Sequence, residues 1–143
     1  MDLIQEGIPQ AKEASETFER LGDATKQAEP SIDFARLLSD NEELDTAEEV
    51  ASRAIGLLPE VGQQLQGRLG HRVVGNIYSL KGDAEKAIHH YEVARGIASA
   101  LNTVIQLVWI HFGMAEAFVR EGRFDDAQAH IGHAKSYAAN DTV

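Results

Sequence analysis

The chain has 143 residues, 43% apolar and 25% charged, enough for one domain with a core of its own. Its formal charge of −10 argues against phosphate backbones as partners, because nucleic-acid binders displace counterions with clustered Lys and Arg. With no Cys, the sequence excludes disulfides, thiolate nucleophiles and cysteine-based zinc sites.

The start, Met1-Asp2-Leu3-Ile4-Gln5-Glu6, lacks the basic-then-apolar layout of a secretory signal. No apolar run approaches the roughly 18 residues of a membrane span, so a cytoplasmic chain without a membrane partner is expected. Periodicity and breakers predict helices over about Leu3–Leu21, Lys26–Ser39, Leu44–Leu58, Gly62–Leu80, Ala84–Leu101, Val104–Glu121 and Phe124–Ala138. Pro9 marks a kink in the first stretch or a later helix start. The acidic excess gathers at Asp40, Glu42, Glu43, Asp45, Glu48 and Glu49, which reads first as a solvated helix surface and second as attraction for a basic partner.

Internal similarity is the main signal. Gly75, Tyr78, Gly82, Ala87, Tyr91 and Ala94 align with Ala115, Phe118, Gly122, Ala127, Ile131 and Ala134 at a constant offset of 40 residues. The same offset backwards reaches Ala35, Leu38, Ala47, Ala51 and Ala54. Small residues such as Gly75, Ala87 and Ala94 let helix backbones approach while Tyr78 and Tyr91 fill the grooves beside them. Gly82-Asp83 and Gly122-Arg123 fit the turns between paired helices.

This spacing of small and large residues resembles the tetratricopeptide repeat. The 40-residue period is similar to its longer-helix subtype, found in scaffolds that bind extended peptides. Pro59 sits where that family often ends a second helix. The words Leu57-Leu58-Pro59-Glu60, Gly75-Asn76-Ile77-Tyr78 and Glu121-Gly122-Arg123-Phe124-Asp125-Asp126-Ala127 also resemble the repeat tails of fungal signal-transducing NTPases. The resemblance implies an all-α, right-handed superhelical solenoid of antiparallel helix pairs, about seven helices in all. Its divisions are a half repeat over 1–27 and repeats over 28–67, 68–107 and 108–143. Ala14, Phe18 and Leu21 make the first helix similar to the second helix of a repeat, so both ends are expected to offer apolar flanks that favour self-association.

In such an architecture the first helix of each pair lines the concave surface. Its polar side chains outside the core are then the candidate groove residues: Arg36 and Ser39, then Arg72, Asn76 and Ser79, then Glu116 and Arg120. Arg72 and Asn76 are one turn apart, so a guanidinium fork and an amide can converge on one carboxylate. Arg72-Val73-Val74-Gly75-Asn76 resembles the first part of the carboxylate clamp that captures acidic chaperone C-termini. The chain departs from that clamp at Gly113, where the family needs Asn. The alternative for Arg72 and Arg120 is simple pairing with acids such as Glu116.

His130 with His133, and His89 with His90, bring at most Asp126 as a further ligand, fewer than a stable zinc site needs, so no metal is expected. His71 and His111 share a repeat position on the packed side. Trp109, among Val108, Ile110 and Phe112, is expected in the core between repeats, with an aromatic anchor on the groove as the alternative. No phosphate-binding glycine loop, nucleophile elbow or dinucleotide fingerprint is found, so neither a cofactor nor catalysis is expected. Two functions stand: a scaffold binding a protein or peptide with acidic groups, or a structural, self-associating segment of a larger NTPase-type sensor.

Overall fold

The computed structural model describes residues 3–58 and 63–141, and every regular element among them is an α-helix. Seven are present: α1 (Leu3–Arg20), α2 (Ala24–Asp40), α3 (Leu44–Gly56), α4 (Gln63–Lys81), α5 (Ala84–Ala100), α6 (Val104–Arg120) and α7 (Phe124–Asp141). None of these helices is long and apolar enough to cross a membrane. Pro9 and Pro30 lie inside α1 and α2, so the later start considered for the first helix is not found. The expected role of Pro59 falls outside the described residues.

One backbone solution closes five of the turns. Gly22, Glu42, Gly82, Asn102 and Gly122 take left-handed φ values of 70°, 64°, 85°, 54° and 76°. The next residue in each case donates its N–H five residues back: Asp23 to Phe18, Glu43 to Leu38, Asp83 to Tyr78, Thr103 to Ala98 and Arg123 to Phe118. That is the Schellman closure, which satisfies carbonyls the helix end would leave open. Asp23 and Asp83 then cap the following helices, accepting from the Lys26 and Lys86 N–H groups at 3.0 and 3.1 Å.

Consecutive helices pack on one another, and α2 also meets α4 as α4 meets α6. These three therefore stand side by side along one face. Behind them, Ala47, Ala51 and Ala54 of α3 pack with Ile32, Ala35, Leu38, Val73, Val74 and Ile77. The matching cluster joins Ala87, Tyr91, Ala94 and Ala98 of α5 to Leu107, Ile110, Met114 and Ala117 of α6. Tyr91 is 1% exposed, and a Cβ added at Gly75 or Gly113 would stand 2.9 or 2.7 Å from its ring. The two glycines are thus the space the tyrosine occupies. Tyr78 does a different job. Its hydroxyl donates to Glu48 at 2.7 Å while Lys81 reaches Asp45 and Glu48 at 2.7 and 2.6 Å, tying α4 to α3.

Candidate functional site

The face shared by α2, α4 and α6 holds a cleft of about 810 Å³. Arg36, Ser39 and Asp40 reach it from α2, Arg72, Asn76 and Leu80 from α4, and Trp109, Phe112, Glu116 and Arg120 from α6. Gly113 and Tyr91 form part of its wall. Helical spacing explains the set: on α4 and on α6, positions four apart stack into one exposed stripe beside a buried one. Of the seven residues expected to form a groove, Arg36, Ser39, Arg72, Asn76, Glu116 and Arg120 are brought to this one cleft.

Their hydrogen bonds qualify the expectation. Arg72 Nη1 donates to Gln106 Oε1 at 3.1 Å, which fixes the guanidinium across the α4–α6 junction. Tyr91 Oη donates to Asn76 Oδ1, so that amide oxygen is engaged from behind. Burial, then the Glu116 carboxylate, push the Tyr91 phenol above its ordinary range and keep it a donor. Arg36 makes only long ion pairs with Asp33 at 3.9 Å and Asp40 at 3.7 Å, and all three side chains are about half exposed. Such pairs are worth about 0–1 kcal/mol, which leaves Arg36 available.

Two expectations are corrected. Ser79 is 2% exposed and accepts from Arg120 Nη1, so it anchors an arginine from beneath and does not line the cleft. Trp109 is 58% exposed and leans on Phe112 with ring centroids 6.4 Å apart, on the side of α6 that lines the cleft. It is the groove aromatic, not a core residue. The departure from the carboxylate clamp at Gly113 also has a cause, since the Tyr91 ring fills the space an Asn side chain would need.

Sequence reasoning missed Gln106, Leu80 and the Tyr91 hydroxyl as parts of this site. Nothing in one-dimensional spacing marks Gln106 as a partner 34 residues from Arg72. Among the described residues no group of three or more His, Asp or Glu is placed to hold a metal ion. His111 is 5% exposed and His71 half-buried, as their shared position implied. No family model matches the sequence, and no curated protein matches it. The functional reading therefore rests on the geometry.

Proposed function

We propose that the chain is a tetratricopeptide-type, right-handed superhelical solenoid, a protein-binding scaffold whose concave face holds a peptide segment with an acidic group beside an apolar side chain. The carrying observation is the cleft itself. Three guanidinium groups face two carboxylates there, in a chain whose total formal charge is −10, and Trp109 and Phe112 offer apolar surface at its rim. A local positive excess inside an acidic molecule favours anionic groups at the cleft, while the −10 charge of the remainder opposes acidic partners elsewhere. Recurring left-handed turns and the α2–α4–α6 contacts support the solenoid reading, with α2–α3, α4–α5 and α6–α7 as its pairs.

Trp109 is the single tryptophan, so its fluorescence reports the cleft directly. Titration with a pool of labelled nonapeptides bearing Glu beside Leu or Phe is expected to quench it, and the same pool with Gln for Glu to bind more weakly. Arg36→Glu should weaken the acidic pool by about tenfold, the equivalent of roughly 1.4 kcal/mol, without loss of helicity. Equal binding of both pools would overturn the proposal.

The terminal helices favour a second reading, in which copies associate end to end as a spacer or assembly segment of a larger sensor. Leu3 and Leu21 are 82% and 71% exposed on and beside α1, and Phe124 is 65% exposed at the start of α7. A mass that rises with concentration in light scattering is the outcome that reading requires.

A further inference from the structure

His71 on α4 and His90 on α5 bring their Nδ1 atoms to 3.0 Å, and 40 residues later His111 on α6 and His130 on α7 do the same at 3.0 Å. Both pairs have ring centroids 5.3 Å apart, with interplanar angles of 24° and 26°. The same contact therefore closes two successive hairpins. At the equivalent positions of the α2–α3 hairpin stand Ser31 and Val50, which do not titrate.

The surroundings are mostly aromatic rings. Tyr78 stacks on His90 at 5.7 Å and His89 meets it edge-on at 5.3 Å. Glu48 and Lys86 reach this group through Tyr78, as hydrogen-bond acceptor and as a cation over its ring. In the second pair His133 lies 5.2 Å from His111 and 6.0 Å from His130. Tyr137 stacks on His111 and Phe118 on His130, at 5.7 and 5.4 Å. Charged groups acting there are Glu92 and Arg95 of α5 and Asp126 of α7, and Arg123 reaches the pair through Phe118, as a cation over its ring at 4.6 Å.

An Nδ1–H···Nδ1 bond needs one ring to supply the proton and the other to supply the lone pair. A first added proton on the donor ring's Nε2 leaves that bond in place. A second, on the acceptor Nδ1, sets two N–H groups against each other and two cations side by side within a half-buried stack. We propose that the two His–His contacts are acid-released latches, which hold α4 to α5 and α6 to α7 at neutral pH and part when both rings of a pair are protonated.

Burial acts in the same direction as that geometry. Burial, then the charge of the partner ring, hold His90 and His111 down to about 4, and burial first also lowers His71 and His130. Folded values lie below the ordinary imidazole value of about 6.5, so the unfolded chain binds more protons between them. The latch contribution is complete above about pH 6.5 and is lost as pH falls from there towards 4.

Amide exchange of the intact chain at pH 7 and pH 5, corrected for chemical exchange rates, measures this hairpin by hairpin. Protection in α4–α5 and α6–α7 is expected to fall about tenfold or more relative to α2–α3, and the four paired imidazoles should titrate below 6.5 in NMR spectra, His90 and His111 the lowest. His90→Phe with His130→Phe keeps a ring in each stack and should abolish the differential loss. Uniform loss across all three hairpins, ordinary titration of the four rings, or the same differential in the double variant would each overturn the latch. Should the double variant not fold, exchange and titration of the natural chain decide the matter.

Discussion

Tyr91 is held by what two other residues lack. Because a Cβ at Gly113 would come within 2.7 Å of two ring atoms of that buried tyrosine and 2.8 Å of its hydroxyl, Gly113→Ala should overpack the α5–α6 contact by about 1–3 kcal/mol, outweighing its better helix propensity. Gly132 on α7 has nothing within 4 Å of an added Cβ, so Gly132→Ala should instead stabilise by up to about 1 kcal/mol. Urea denaturation of the pair checks both signs at once, and equal effects would refute this account of Tyr91. At this scale the cleft was largely legible: the stripe spacing of Arg36, Arg72, Asn76, Glu116 and Arg120 follows from 3.6 residues per turn. Ser79 was misread because a long neighbour, Arg120, spans over it and buries it. Trp109 was misread because size and apolarity alone do not say whether another helix covers a given side of α6.

The helices themselves were readable to within a few residues, since apolar periodicity and the glycines at 82 and 122 mark their ends. The turns at Glu42 and Asn102 were placed as well, but the left-handed backbone of Glu42 was not, because an L residue other than Asn or Asp rarely adopts positive φ. What holds them left-handed is the closure they share with the glycine turns. Glu42→Gly should accordingly raise stability by about 1 kcal/mol, because strain at φ 64° is removed while the exposed side chain takes no part in the closure. A thermal melt that falls in this variant would show the position to be unstrained. The histidine pairs sit between these cases. Their 40-residue recurrence is visible in sequence, but the crossing that brings α4 to α5 and α6 to α7 appears only in three dimensions.

For the whole molecule, the first and last helices are where the assembly prediction is tested. α1 has no buried residue at all, and Ala138 of α7 is exposed where its equivalent Ala98 of α5 is fully buried. If those surfaces pair, light scattering of the 15.6 kDa chain should climb towards twice that mass as concentration rises. A constant 15.6 kDa would leave the concave cleft as the remaining candidate interaction surface. A charge of −10 per copy opposes such pairing, so added salt should favour it. The regular spacing of the left-handed turns carries a consequence for how this chain can change over generations. Successive residues 22, 42, 82, 102 and 122 are 20 or 40 apart, so each of the five helices that end there must deliver its end in register with the next. One inserted or deleted residue within a helix turns everything after it by about 100° and swings the next apolar stripe into water. Substitutions on the exposed faces are cheap by comparison. The lineage of such a molecule should therefore record many exchanged letters and few changes of length, like a text free to alter its spelling but bound to its metre.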